Sequence, residues 1–244
     1  MKKPALSVVV PVHNEIENIE SLVNEIHIVL FQHIDYEMIY VDDGSDDGSK
    51  EILQNLAQKL PCLRIIQHAK AYGQSAAIVT GIKAAQADWI ATLDGDGQND
   101  PADILRLWTE INNTKNLHMV VGYRRKRQDS WIKRWSSRIA NGVRSRLLKD
   151  NTPDTGCGLK LFSRAFFLTI PHFDHLHRFL PALFIRSGGR IISVEVNHRP
   201  RLRGKSKYGL HNRLWVGIID LLGVMWLQNR PCLPTIIEET TDDK

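Results

Sequence analysis

Three short polar stretches hold the side chains best suited to chemistry: Pro11-Val12-His13-Asn14-Glu15, Asp42-Asp43-Gly44-Ser45-Asp46 and Asp94-Gly95-Asp96-Gly97-Gln98. The third is the sharpest. Asp94 and Asp96 are separated by one small residue, so in an extended turn both carboxylates can reach the same side, and Gln98 adds a neutral oxygen. Carboxylates with an amide oxygen are hard ligands suited to Mg²⁺ or Mn²⁺, and three such groups leave coordination positions open for a diphosphate. No His or Cys stands beside them, which argues against zinc. No Glu lies twelve positions into a loop from either aspartate, so the calcium-loop spacing fails, and no Gly-Lys-Ser/Thr signature of a phosphate-binding P-loop occurs. Gly95 and Gly97 keep the backbone open to close approach by a ligand. Singly, each stretch has a structural explanation, since Asn14 can cap a helix and Asp46 or Asp47 can start one. Jointly they do not, because three acidic loops on one edge repel unless a cation or a donor-rich ligand sits among them.

The elements that must position these loops can be read from hydrophobic periodicity. Leu6–Val12 is almost continuously β-branched, the mark of a central parallel strand covered on both faces. A helical period follows through Ile16, Ile19, Leu22, Val23, Ile26, Val29 and Leu30. The same reading gives a strand at Glu37–Val41, a helix at about Asp47–Leu60, a strand at Leu63–Gln67 and a small-residue helix at Gly73–Ala87. A strand at Asp88–Leu93, a helix from Pro101 and a strand at His118–Gly122 continue the series. This alternation predicts an α/β fold with a doubly wound, mostly parallel sheet. Ligands of such sheets bind outside the carboxyl ends of the strands, which here means just after Val12, Val41, Leu93 and Gly122.

The chain has 244 residues, 43% of them apolar, with 32 Lys and Arg against 27 Asp and Glu. That is enough for one domain with a short appendage. The basic excess is concentrated at residues 123–149, where Asp129 is the sole acid, and at 199–213, where there is none. Such clusters imply an anionic partner: phosphate, nucleic acid or an acidic bilayer. Stacking aromatics or a recognisable module would mark a nucleic-acid binder, and neither is present. Cys62, Cys157 and Cys232 stand far apart, suggesting no disulfide framework and a reducing cytosol. The apolar run Leu214–Leu227 is 14 residues long and contains Asp220, too short and too charged to span a bilayer.

Six stretches in order resemble a known group: Val8-Val9-Val10-Pro11-Val12-His13-Asn14-Glu15, Val41-Asp42-Asp43-Gly44-Ser45-Asp46-Asp47-Gly48, Leu93-Asp94-Gly95-Asp96-Gly97-Gln98, Gly122-Tyr123-Arg124, Asp154-Thr155-Gly156-Cys157-Gly158-Leu159-Lys160 and Arg203-Gly204-Lys205-Ser206-Lys207-Tyr208-Gly209. The chain resembles a family 2 glycosyltransferase of the dolichol-phosphate mannosyltransferase and polyprenyl-phosphate glycosyltransferase group. The resemblance implies a GT-A fold, and a catalytic domain over residues 1–211. Pro11, His13, Glu15, Val41 and Asp43 would line the nucleoside pocket, Asp43 hydrogen-bonding the base. Asp94 and Gly95 would lie beside the nucleotide, and Asp96 and Gln98, with Asp94, would hold Mg²⁺ or Mn²⁺ bridging the diphosphate. His13 stands where relatives often carry Tyr. Arg201 and Lys207 would contact the donor phosphates, and Arg124 and Arg134 would clamp an acceptor phosphate with Asp96 at the centre of the chemistry. The implied reaction moves a sugar from a UDP- or GDP-sugar to a lipid phosphate with inversion. The alternatives are a soluble saccharide acceptor, or a basic adaptor that keeps the fold without catalysis.

Apolar residues recur every four positions at Trp131, Trp135, Ile139, Val143 and Leu147, flanked by Lys133, Arg134, Arg138, Arg144 and Arg146. Such a basic helix fits a headgroup layer, each cation contributing about 1 kcal/mol at an anionic surface. Residues 212–230 read as an amphipathic helix at a membrane interface or an oligomer contact, and 231–244 as an acidic, disordered tail. The expectation is a cytoplasmic enzyme, peripheral on the cytoplasmic face of a membrane, that binds no nucleic acid.

Overall fold

The structure, a computed structural model, describes residues 3–124, 142, 144–200 and 210–230, with 210–216 described as helical backbone only. The first half follows the sequence pattern closely. It runs β1 (Leu6–Val12), α1 (Ile16–Leu30), β2 (Tyr36–Asp42), α2 (Ser49–Lys59), β3 (Leu63–Gln67), α3 (Gln74–Ala84), β4 (Trp89–Thr92), α4 (Asp103–Asn113) and β5 (Met119–Tyr123). Then come β6 (Lys160–Ser163), α5 (Arg164–Thr169), a 3₁₀ turn (Leu176–Arg178), α6 (Leu180–Arg186), β7 (Ile191–Glu195) and α7 (Leu210–Gln228). One helix is shorter than its period suggests. At Ala85 the backbone turns extended, with φ −64° and ψ 143°. The next two amides are taken by side chains from the first two strands, Gln86 N by Glu37 Oε1 at 2.6 Å and Ala87 N by Ser7 Oγ at 3.1 Å.

The seven strands lie in the order β3-β2-β1-β4-β6-β5-β7. Successive side chains of a strand point to opposite faces, and here each face feeds its own core. Val8, Val10 and Val12 of β1 pack with Leu22, Ile26 and Leu107 of α1 and α4. Val9, Ile39 and Val41 pack on the other side with Ile78 and Ile82 of α3. This is why β1 reads as a nearly unbroken apolar run. Val224 of α7 belongs to the second core, so this helix is docked on the domain. Arg186 Nε donates to the Leu227 carbonyl at 2.7 Å and Gln228 Nε2 to the Leu148 carbonyl at 2.8 Å.

Two features of the topology place the site. The order reverses at β1, which is flanked by β2 on one side and β4 on the other, and this is the switch point where α/β sheets bind ligands. The other is β6, which runs antiparallel to both β4 and β5 and pairs Lys160 with Thr92 and with Val121. A parallel strand brings to the carboxyl edge the residues that follow it. An antiparallel strand brings those that precede it, so Asp154–Lys160 arrives beside the Asp94 loop.

Asp47 joins the first two loops. Its Oδ2 accepts from the Ile16 amide at 3.1 Å and its Oδ1 from the Ser49 amide at 3.0 Å, so one carboxylate serves the first turns of both α1 and α2. Asn14, at φ 55°, is no helix cap but exchanges two hydrogen bonds with Asp46. Burial alone would raise the pKa of Asp47, but hydrogen bonds from Ser49 and the Ile16 amide outweigh it and hold the value below the ordinary one. A depressed carboxylate stabilises the fold above its unfolded value, and the effect is lost as pH falls through the lowered one. Asp47→Ala should therefore cost about 2 kcal/mol in urea unfolding at pH 7, since capping losses run at roughly 0.5–2 kcal/mol per helix, and much less at pH 3.

Candidate functional site

The site is assembled at the carboxyl edge of β1, β2, β4 and β5. Pro11 lies opposite Val41 in the β1–β2 register, and both are buried. The His13 ring meets the Asp43 carbonyl through Nδ1 at 2.9 Å, and since a carbonyl only accepts, Nδ1 carries the hydrogen. Glu15 precedes α1, and its Oε2 accepts from Asn18 Nδ2 at 2.8 Å.

Asp43 has more to hold than its sequence neighbourhood suggests. Its carboxylate accepts from the Tyr72 amide at 2.9 Å and the Gly73 amide at 2.7 Å, and meets His68 Nδ1 at 2.7 Å. Thr80 on α3 holds the far side of that imidazole at 3.0 Å. Burial would raise Asp43, but the hydrogen bonds from His68, Tyr72 and Gly73 prevail and keep it below the ordinary carboxylate value. At Gly44, φ is +69°, and a Cβ there would lie 2.5 Å from the Lys70 carbonyl carbon. The Asp43-Gly44 turn is thus pressed against the 70–73 backbone.

Asp94 is the electrostatic centre. Its Oδ1 accepts from Gln74 Nε2 at 2.8 Å, and its amide donates to Asn99 Oδ1 at 3.1 Å. Burial, then the charge of Asp96, pushes its pKa up to about 6, although Lys160, Arg124 and Gln74 act in the other direction. Asp94 and Asp96 thus concentrate negative charge at this edge, opposed from behind by Lys160 and Arg124. Gly95 lies so close to β1 that a Cβ would meet Val12 Cγ1 at 2.7 Å. Asp96 Oδ1 accepts from the Gln98 amide at 3.1 Å, closing a tight turn. The Gln98 carbonyl accepts from the Arg199 amide at 3.0 Å, and the Arg199 side chain bonds Asp100 at 2.9 Å and also binds Glu25. The 199–207 basic stretch is therefore anchored at its start beside the acidic loop.

Among the described residues, no three His, Cys, Asp or Glu side chains gather into a closed metal cage. The groups that the sequence offers, the Asp94 and Asp96 carboxylates and the Gln98 side-chain amide oxygen, are hard oxygens and would form an open set instead. That is the kind a divalent ion uses when phosphate and water complete its shell, so the residues fit Mg²⁺ or Mn²⁺.

Arg124 follows β5 and is largely buried. Its Nε and Nη2 grip Asp154 at 2.7 and 3.0 Å, and the pair holds the guanidinium above its ordinary value against the opposing effect of burial. The fork that could clasp a phosphate is thus engaged with Asp154, and a bidentate grip from that edge requires this pair to open. Lys160 is buried, donates to the Cys157 carbonyl, and is lowered by burial despite the nearby charges of Cys157 and Asp94. Cys157 is buried and unpaired with another cysteine. Arg134, Arg201 and Lys207 lie outside the described residues, as do Trp131, Trp135, Lys133 and Arg138, and the 231–244 tail.

Sequence reasoning passed over Gln74, Gly158 and Lys160 as site residues. The loop after β3 obeys the same edge rule as the other strand ends and leads to Gln74. Gly158 and Lys160 could be placed only by knowing that β6 runs antiparallel between β4 and β5.

The model of glycosyl transferase family 2 matches residues 7–170. The dodecaprenyl-phosphate galacturonate synthase of Rhizobium johnstonii is 34% identical over 235 residues, 94% of this chain and 69% of that protein. The undecaprenyl-phosphate 4-deoxy-4-formamido-L-arabinose transferase of Edwardsiella ictaluri is 36% identical over 209 residues, 84% of this chain and 63% of that protein. The chain thus spans about two thirds of the length of these relatives. Glucosyl-3-phosphoglycerate synthase from Mycobacterium tuberculosis, solved with Mn²⁺, UDP and phosphoglyceric acid, superposes with a TM-score of 0.70 at 18% identity, covering 95% of this chain and 80% of that one. A mannosyltransferase from Pyrobaculum calidifontis in complex with GDP-Man and Mn²⁺ gives 0.67 at 20% identity, covering 96% and 67%. Sheet order, acidic edge and sequence similarity agree: the chain has a GT-A fold and belongs to glycosyl transferase family 2.

Proposed function

We propose that the chain transfers a sugar from a nucleotide-diphosphate donor to a polyprenyl phosphate, with inversion at the anomeric carbon. The observation that carries this reading is the Asp94–Asp96 pair at the switch point of the sheet, on the same edge as His13 and the Asp43 turn. Relatives named for dodecaprenyl and undecaprenyl phosphate, at 34% and 36% identity, supply the acceptor class.

Asp94 and Asp96, with Gln98, would hold Mg²⁺ or Mn²⁺, which when bound neutralises charge growing on the departing diphosphate. The chain's own residues do the rest. Pro11, Val41 and the Asp43 turn shape the nucleoside pocket, and His13 is oriented by its bond to the Asp43 carbonyl. Arg124 and Lys160 add positive charge behind Asp94, and Arg201 and Lys207 are assigned to the donor phosphates. Arg134 is assigned to the acceptor with Arg124. A phosphate acceptor is already ionised at pH 7, so attack from the face opposite the leaving group needs no strong general base.

The test is direct. The protein with Mn²⁺, undecaprenyl phosphate and a panel of UDP- and GDP-sugars should give one lipid-linked sugar of inverted configuration. Transfer to soluble saccharides alone would replace the acceptor in this reading, and no transfer or hydrolysis from any donor would remove the reading.

A lipid acceptor requires the domain to approach a bilayer. No helix among the described residues is long and apolar enough to cross a membrane. On α7, Val224 faces the core while Ile219, Leu222 and Trp226 are 68%, 59% and 63% exposed. Leu147, the last of the four-spaced apolar series, is also exposed, one residue from the Leu148 carbonyl that binds α7. These residues support peripheral contact with an anionic bilayer at the cytoplasmic face. In liposome flotation the protein should rise with anionic vesicles at low salt, lose most of that binding at high salt as charges are screened, and wash off in alkaline carbonate. Leu222→Glu/Trp226→Glu should stay at the bottom of the gradient. Concentration-dependent dimerisation without flotation would assign the same face to a second copy.

A further inference from the structure

Gln74 occupies an unusual place for a neutral side chain. It is the first residue of α3, and its Nε2 donates to Asp94 Oδ1 across 20 residues of sequence. A carboxylate can only accept, so the nitrogen of the amide must face it. The helix start that carries Gln74 is fixed on both sides. Just before it, the Tyr72 and Gly73 amides bind Asp43. Just after it, Ser75 Oγ meets His177 Nδ1 at 2.7 Å. Burial, reinforced by the charge of Lys160, pushes His177 down to about 3, so this partner is a neutral imidazole at physiological pH. Gln74 thus stands on a turn tied to the nucleoside pocket on one side and to the segment before α6 on the other.

The opposite side of Asp94 is equally constrained. A Cβ on Gly158 would stand 2.5 Å from Asp94 Oδ1 and closer still to Oδ2 and Cγ. The Asp94 carboxyl is thus held between the Gly158 backbone and the Gln74 amide. The chemistry of the donor then matters. An amide fixes the oxygen without removing charge from the carboxylate. A Lys or Arg at the same place would form an ion pair with Asp94 and compete with any divalent cation drawn to it.

We propose that Gln74 is a positioning residue for the transfer reaction: its uncharged amide sets the orientation of Asp94 while leaving the full carboxylate charge to a divalent cation. The proposal rests on the metal-assisted reading above. It requires a donor at position 74 and requires that donor to be neutral.

Three variants separate these requirements: Gln74→Ala removes the donor, Gln74→Lys keeps a donor but makes it charged, and Gln74→Asn keeps the neutral amide. The readouts are Mn²⁺ affinity by electron paramagnetic resonance titration with UDP or GDP present, and steady-state turnover at saturating donor. Outer partners of metal ligands are worth about 10- to 100-fold in affinity or activity. The alanine and lysine variants should lose about that much in Mn²⁺ affinity and in kcat, with donor KM measured at saturating Mn²⁺ changing little. Gln74→Asn should recover part of the loss, and all three should unfold as cooperatively as the wild type. A lysine variant that binds Mn²⁺ as tightly as wild type overturns the need for a neutral donor. Wild-type affinity and turnover in the alanine variant overturn the positioning role altogether. A wild-type protein that turns over in EDTA and holds Mn²⁺ with neither nucleotide overturns the metal reading, and this inference with it.

Discussion

Asp96→Ala should lower turnover by about a thousandfold or more while leaving the melting curve of the free protein nearly unchanged. Among the described residues the Asp96 side chain accepts one hydrogen bond, from the Gln98 backbone amide, so the fold loses little. The reaction loses a ligand for the cation that offsets leaving-group charge, and removing one preorganised electrostatic partner alone typically costs 10²–10³-fold. EDTA should reproduce the loss in the wild type, and Mn²⁺ should reverse it there but not in the variant. Activity that survives in both cases would end the metal-assisted mechanism. The companion change has a signed pH dependence. Asp94 is pushed up to about 6 by burial and then by Asp96, so in the free protein its ionised form is disfavoured. A carboxyl raised in the folded state costs stability above its ordinary value, the cost growing until pH passes the folded value near 6 and staying constant beyond it. Asp94→Asn should therefore raise the melting temperature of the metal-free protein by a few degrees at pH 7.5, show less gain at pH 4, and abolish turnover. Scanning calorimetry at the two pH values checks the sign.

Gly158→Ala should cost about a hundredfold in kcat although it touches no substrate. The added methyl overlaps the Asp94 carboxyl, and the backbone there cannot retreat easily because Thr92 Oγ1 donates to the Gly158 carbonyl at 2.8 Å. Asp94 must rotate out of its orientation and give up the Gln74 amide. Since both changes act through one carboxylate, Gly158→Ala and Gln74→Ala should combine to much less than the product of their separate effects. Fully multiplicative losses would mean that the two residues act independently. Wild-type kcat in Gly158→Ala would mean that the orientation of Asp94 is immaterial to transfer.

How much of this was legible before the structure follows from what each signal depends on. The strands β1 to β5 and their helices are written in local periodicity, because both faces of the sheet are covered and most residues of the central strands are apolar. Leu63–Gln67 is reproduced residue for residue. By contrast, β6 has four residues and begins with a buried lysine, so neither length nor alternation announces it. The acidic loops were legible as carboxylates at strand ends. The neighbours of those carboxylates were not, because Gln74, His68 and Gly158 reach them across 20 or more residues. Arg124 illustrates the difference. Its place after β5 follows from the pattern, but its engagement with Asp154 depends on how the chain returns through β6. The apolar segment Leu214–Leu227 likewise reads as an amphipathic helix with either a membrane or a protein partner, and the burial of Val224 shows which side is covered by the domain.

The insertion of β6 between β4 and β5 also bears on how the enzyme comes into being. During synthesis β1 to β4 can pair as soon as each emerges, since β2 and β4 join β1 and β3 joins β2. Among the described strands, β5 pairs only with β6 and β7, both of which lie later in the chain. A ribosome that has delivered the first 150 residues has therefore displayed the Asp94 loop without the strand that carries Gly158 and Lys160 to its side. Non-local pairing of this kind slows folding and leaves strand edges open to misassociation in the interval. The same delay means that the Asp94 carboxyl lacks the backbone that constrains it until the chain has returned through β6.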